Sequence, residues 1–193
     1  DMGTPQLLQQ FKRPLSLALH RVDLMHALLD LAGPMVRYGA AFSGYEQTAD
    51  AVTAHFSDGS RARADLLIGA DGIHSQVRQQ MHPTTVPIYR GYAAWRAVVA
   101  FDHAQVADYW GETWGRGARF GIVPLTEGRV YWFASANRPA NSVPDHHPAL
   151  LQQLYGDWHQ PIPALLNATP NEALLYNDIA DFDPPPTWVE GRV

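Results

Sequence analysis

Three groups of residues have types and spacings that could do chemistry. Asp71-Gly72 follows the apolar run Leu66-Leu67-Ile68-Gly69-Ala70, so a carboxylate and a glycine stand where the chain leaves a strand. In α/β sheets, ligands bind at the carboxyl ends of the strands. Glycine there lets the backbone approach a ligand or take a positive φ, and aspartate can accept hydrogen bonds from a ribose or from backbone N–H groups. An ordinary turn with Asp71 as a helix cap is written in the same letters, and both readings stand at this point. Arg21 opens a helix, where the macrodipole disfavours a cation, which points to an anion beside it, although a solvated arginine at a helix start reads the same. Arg119 and Tyr131 lie on two strand-like segments joined by Thr126-Glu127-Gly128, so their side chains could converge on one pocket. A guanidinium and a phenol together suit an anionic or phenolic ring, although a surface arginine and a strand aromatic would look the same.

Other chemistries are poorly supported. The chain has 193 residues and no cysteine, which removes disulfides, thiolate metal sites and a cysteine nucleophile together. Nine histidines are present, yet no i, i+4 pair with a third ligand appears, and the His146-His147 pair beside Asp145 sits in a polar loop. Ser75 lacks the Gly-x-Ser-x-Gly elbow of a hydrolase nucleophile. Lys+Arg of 14 against Asp+Glu of 19 gives 14 − 19 = −5, which argues against a nucleic-acid partner. For the same reason Trp95, Trp110, Trp114 and Trp132 read as core or pocket wall. No apolar run reaches the roughly 20 residues of a membrane helix, and the start lacks the layout of a signal peptide. A soluble, cytoplasmic globular protein is the expectation.

The elements that must position these residues are legible in part. Leu24, Ala27, Leu28 and Leu31 fall at the spacing of a buried helical stripe, ended by Gly33-Pro34. Val52, Ala54 and Phe56 alternate along a half-buried strand. Ser57 to Ser60 form a turn, and Arg61 to Ala64 run back as a second strand. Leu66 to Ala70 has no alternation and predicts a strand covered on both faces, as in a parallel sheet. A short helix is expected over Ile73 to Gln80, and Pro83 to Pro87 form a linker. Ala94 to Phe101, Arg119 to Leu125 and Arg129 to Ser135 predict aromatic strands. Leu150, Leu151, Leu154, Tyr155 and Trp158 define a further amphipathic helix. Asp183 to Pro186 is stiff and extended, and Gly191-Arg192-Val193 reads as the first residues of a strand.

Several of these pieces, in this order, resemble the FAD-dependent aromatic hydroxylases, flavoprotein monooxygenases of the p-hydroxybenzoate hydroxylase fold. The carriers are His20-Arg21-Val22-Asp23-Leu24, the run Asp65 to Arg78 around Asp71-Gly72, and Tyr89 to Tyr92 with Trp95-Arg96. Gly115 to Leu125 with Gly128 to Trp132, and Trp188 with Gly191-Arg192-Val193, complete the set. The likeness spans the chain and is greatest to the branch containing FAD-dependent urate hydroxylase and the zeaxanthin epoxidases. The family's strand–GxGxxG–helix is not matched and its Leu-Gly-Asp segment is not reached, so an internal portion of a longer enzyme is expected.

The resemblance implies an α/β fold: part of an FAD-binding Rossmann-like domain plus a mixed β-sheet substrate domain with helices on one face. It places the FAD-binding part at residues 15–82 and the substrate domain at 83–188, with 1–14 and 189–193 as truncated connections. It implies FAD contacts for Arg21, Phe42, Asp71 and Gly72, with Phe42 against the adenine or simply in the core. Arg119 and Tyr131 are implied to serve substrate binding and hydroxylation. NAD(P)H would reduce FAD, and O₂ would supply the atom that hydroxylates or epoxidises a small aromatic or unsaturated substrate; the cofactor carries that chemistry. No membrane span, metal or nucleic acid is implied, and a homodimer is compatible with it. Two alternatives are a same-fold flavoprotein with other redox chemistry and an inactive remnant unable to hold FAD.

Overall fold

The structure is a computed structural model, and it describes residues 18–106, 110–142 and 147–193. These fall into two compact units. One joins the described residues up to Gly33 with Ala93–Asn177, and the other joins Pro34–Tyr92 with Asp178–Val193. The divisions lie at Gly33/Pro34, Tyr92/Ala93 and Asn177/Asp178, whereas the sequence sets its linker at Pro83 to Pro87.

The first unit is built on a sheet. Its strands are β4 (Ile88–Ala100), β5 (Gly111–Gly115), β6 (Ala118–Pro124), β7 (Arg129–Asn137) and β8 (Leu175–Asp181), in the order β5-β6-β7-β4-β8, with β4 and β8 each continuing into the other unit. Strands β5, β6 and β7 are antiparallel neighbours, with Trp114 opposite Arg119, Arg119 opposite Ser135 and Val123 opposite Tyr131. Alternation separates two faces. Trp95, Ala97, Val99, Phe120, Ile122, Val130, Trp132 and Ala134 point to one side and are buried. Helices α3 (His147–Tyr155) and α4 (Ile162–Ala168) cover that side with Leu150, Leu151, Tyr155, Ile162, Leu165 and Leu166. Helices therefore back one face, as the resemblance implies.

This core satisfies its polar atoms. Phe120 and Trp132 stack with ring centroids 5.1 Å apart. The Trp95 indole N–H meets His147 Nδ1 at 3.1 Å, and that of Trp132 donates to Thr169 Oγ1 at 2.9 Å. The Tyr155 hydroxyl, its ring wholly buried, donates to the Ser135 carbonyl at 2.8 Å. Buried tyrosines and tryptophans ordinarily find such partners.

Helix α1 (Arg21–Ala32) belongs to the same unit but has no buried residue. Leu24, Leu28 and Leu31 are 44%, 49% and 82% exposed, so the expected buried stripe is a stripe without cover among the described residues. Periodicity reports amphipathic character and says nothing of which surface lies against it. The ion pair between Asp23 and Arg129 at 2.9 Å ties α1 to the β6–β7 hairpin.

The second unit holds the antiparallel sheet β1 (Phe42–Gln47), β2 (Val52–Phe56) and β3 (Arg61–Ala64), and helix α2 (Gln76–Met81). The Gln80 side chain bridges the N–H and carbonyl of Tyr45 and so docks α2 on β1. One expectation fails here. Leu66 to Ala70 forms no strand, and Leu66 and Ile68 are 65% and 84% exposed. A buried parallel strand needs hydrogen-bonded neighbours, and the backbone bond found for this run among the described residues is Leu67 N–H to the Arg192 carbonyl. Gly191-Arg192-Val193 is likewise a turn rather than a strand, closed by reciprocal bonds between Glu190 and Val193. Arg192 anchors it, donating to the carbonyls of Ala49 and Asp65.

Candidate functional site

In the sheet unit the face away from the helices is open. A cavity of about 780 Å³ lies against it, walled by apolar side chains such as Leu19, Val98, Val123 and Leu125, with Arg21, Arg96 and Tyr131 as its charged and phenolic members. That volume falls in the range of small-molecule sites. Tyr131 and Arg96 reach the cavity because their strands place even and odd positions on opposite faces. Arg21 arrives differently, from the first position of α1, whose N-cap His20 accepts from Val22 N–H. The Arg21 side chain makes no hydrogen bond or ion pair among the described residues.

Burial pushes the Tyr131 phenol above its ordinary range, and the nearby Arg96 charge offsets this in part. The hydroxyl is therefore protonated near neutrality and can donate. Arg96 is half-buried, and its Nη1 donates to Asn177 Oδ1 at 3.0 Å. Sequence reasoning cites Arg96 only within a motif. The signal was an arginine on the face of β4 shared by Ala94, Val98 and Ala100.

Arg119 and Tyr131 share this open face, but the register separates them by four positions, about 13 Å along the strands. Phe133 lies between them over Gly121, where an added Cβ would sit 2.2 Å from the phenyl ring. Arg119 is held where it is: Nε donates to Ser135 Oγ at 3.2 Å and Nη1 lies 3.5 Å from Glu112 Oε2. It does not line the cavity, so the structure does not bring the two together in one pocket.

The second unit carries the other three expected residues. Phe42 opens β1, half-buried and in register with Phe56. Asp71 is exposed, and its Oδ2 accepts from Gln76 N–H at 2.8 Å and Val77 N–H at 3.3 Å, the first amides of α2. Burial acts to raise its carboxyl, but hydrogen bonds from Ser75 and these amides outweigh it and hold it below the ordinary value of 3.8. Ser75, the N-cap, accepts from Arg78 N–H at 2.9 Å. Asp71 thus caps α2, as one of its two readings expects. Gly72 has φ +81°, and nothing lies within 4 Å of a built Cβ there. Its carbonyl accepts from Arg78 Nη1 at 3.1 Å, and the Arg78 guanidinium stacks 4.0 Å above the Phe182 ring. A smaller hollow of about 300 Å³ opens beside Gly72, Arg78 and Trp188.

Among the described residues, no group of three or more His, Cys, Asp or Glu side chains could hold a metal ion, and no helix is long and apolar enough to cross a membrane. The Asp145–His146 pair and residues 1–14 lie outside the described residues.

One unit is a helix-backed sheet with an apolar, cation-lined cavity and the other holds a short antiparallel sheet and a helix, which makes this an α/β protein. Residues 8–153 match the family described as FAD binding domain, and the chain belongs to that family. It is 40% identical over 179 residues to aurachin C monooxygenase/isomerase of Stigmatella aurantiaca, covering 91% of this chain and 46% of that protein. To FAD-dependent urate hydroxylase of Klebsiella pneumoniae it is 34% identical over 178 residues, covering 90% and 46%. The crystal structure of Klebsiella pneumoniae HpxO complexed with FAD and uric acid superposes with a TM-score of 0.82 at 34% identity, covering 89% of this chain and 46% of that one. The chain thus spans about half the length of these relatives.

FAD offers a pyrophosphate, hydroxyls and a planar ring. In one unit an exposed Arg21, without a partner among the described residues, is a donor of the kind such a group takes, and in the other Gly72, with nothing within 4 Å of a built Cβ, leaves room for close approach. The residues present fit it.

Proposed function

We propose that this chain serves an FAD-dependent monooxygenase that uses NAD(P)H and O₂ to hydroxylate or epoxidise a small aromatic or unsaturated substrate. The observation that carries this is the cavity on the open face of the sheet, with Tyr131 and cationic side chains set in apolar walls. When bound, FAD would take electrons from NAD(P)H and deliver one oxygen atom of O₂. The chain's own residues bind and orient. Tyr131 donates from its neutral hydroxyl to an oxygen of the substrate ring, and Val98, Val123 and Leu125 keep water from that edge. Arg21 would take a phosphate or ring oxygen of FAD, Gly72 would let the backbone come close to the cofactor, and Phe42 would offer it a ring face. Asp71 would act on FAD through the turn that it fixes. Arg119, joined to Ser135 and Glu112, holds β5, β6 and β7 in the alignment that presents Tyr131. A cytoplasmic, small-molecule enzyme, monomeric or homodimeric, is the setting that follows.

The experiment is to purify the full-length protein, measure bound flavin, and follow NAD(P)H consumed against product formed with urate and hydroxylated aromatic acids as substrates. Tyr131→Phe should keep its flavin but divert consumed NAD(P)H to hydrogen peroxide. A flavin-free protein, or wild-type coupling in Tyr131→Phe, refutes the proposal.

A further inference from the structure

Four arginines form ion pairs among the described residues, and Arg96 is not one of them. Arg37 pairs with Asp58, Arg90 with Asp181 and Asp183, Arg119 with Glu112, and Arg129 with Asp23 and Glu127. Arg96 is half-buried in a cavity wall, and among the described residues no carboxylate pairs with it. Its partner is a neutral amide oxygen, that of Asn177 at 3.0 Å. A guanidinium stays charged at every physiological pH and carries five N–H donors in a planar fork. A charge withdrawn from water without a counter-ion is costly, and an incoming anion offsets that cost. Asn177 accepts from one nitrogen and so restrains the fork without neutralising it.

We infer that Arg96, rather than Arg119, selects the substrate: it pairs with the carboxylate, phenolate or ionised ring edge of a planar anion lying against Tyr131. This rests on the reading of the cavity as the substrate site, but the selection itself is an equilibrium property that needs no turnover. Arg96 and Tyr131 stand on β4 and β7, neighbours in the sheet, and Arg96 is near enough for its charge to act on the phenol. Both are donors, so the ligand edge between them must accept twice. Neutral hydrocarbon-like substrates lack such an edge and would leave the guanidinium unpaired.

The test is calorimetric titration of the full-length protein with benzoate and urate as anionic probes and benzamide as the neutral counterpart of benzoate. Arg96→Gln should lower affinity for both anions by about 10- to 100-fold, the loss expected when a charge-assisted pair is removed. Benzamide affinity should change by less than about threefold. Arg96→Lys should recover part of the loss, because it restores the charge without the fork. Arg119→Gln should keep the wild-type preference for benzoate over benzamide. Equal losses for anion and amide, no loss at all, transfer of the effect to Arg119→Gln, or a wild type that binds neither anion would each overturn the assignment. Flavin content and NAD(P)H oxidation, measured separately, report on the monooxygenase reading and can fail while the anion preference stands.

Discussion

Replacing Asp71 with alanine separates two roles for a carboxylate placed at a cofactor-binding turn. One oxygen, Oδ2, receives the amides of Gln76 and Val77 at 2.8 and 3.3 Å. Losing a side-chain cap typically costs about 0.5–2 kcal/mol. Ser75 still caps Arg78, so α2 retains one of its anchors and about 1 kcal/mol is the expected loss. For a chain of this size that lowers the thermal midpoint by about 2–4 °C. Asp71→Asn keeps an acceptor oxygen and loses only the charge near the helix start, so its loss should be smaller, about 0.3–1 kcal/mol. The pH dependence follows from the depressed carboxyl. A group held below its unfolded value of 3.8 stabilises the fold above that pH, and the contribution fades as pH falls through the lower folded value. The gap between wild type and Asp71→Asn should therefore be full at neutrality and close as pH falls below 3.8. Circular dichroism melts across that range measure it. An Asp71→Ala protein that melts like wild type while losing its flavin would show the carboxylate to be a cofactor ligand, and the capping argument would be wrong.

Tyr155→Phe removes a buried hydroxyl whose acceptor is the Ser135 carbonyl, and should lower stability by about 1–2 kcal/mol in denaturant titration; an unchanged midpoint refutes the account. Gly121→Ala drives a methyl into the Phe133 ring and should cost about 1–3 kcal/mol. Because Phe133 stands 6.0 Å from Tyr131 between ring centroids, the same change should weaken binding of anionic probes, and intact binding would place Phe133 outside the site's support.

The sequence was most legible where local rules and final environment agree. Val52–Phe56 and Arg61–Ala64 follow the alternation and turn chemistry, the first within one residue of its expected start, and the β6–β7 hairpin follows from its short connection. Strands β1 and β8 escaped because FSGYEQ and LYNDIAD carry glycine, asparagine and acids that hide their alternation. Helix α4 escaped because Pro161 and Pro163 read as breakers, although proline is well tolerated in a first helical turn. Leu66–Ala70 and the α1 leucines show the opposite error, since apolarity states a need for cover and cannot say what supplies it. At the site, Tyr131 stands in the cavity, but Arg119 and Tyr131 needed the register to show four positions between them. Arg96 was visible as a polar break in an apolar strand, and its isolation from carboxylates was not.

The second unit is assembled from stretches far apart in the chain. Arg192 reaches Ala49 and Asp65, Gln47 holds the carbonyl of Glu190, His82 meets the carbonyl of Thr187, and Arg78 stacks on Phe182. All of Ala93–Asn177 lies between the partners. Closing so long a loop adds only modestly to its entropic cost, since that cost grows with the logarithm of length. Contacts this distant in sequence are nevertheless slow to form. During synthesis the contacts of Pro34–Tyr92 with Asp178–Val193 must therefore wait until that later stretch has been made. The order of folding is set accordingly: the intervening sheet can complete its β5–β6–β7 meander from local pairings, while the hairpin unit that precedes it closes last.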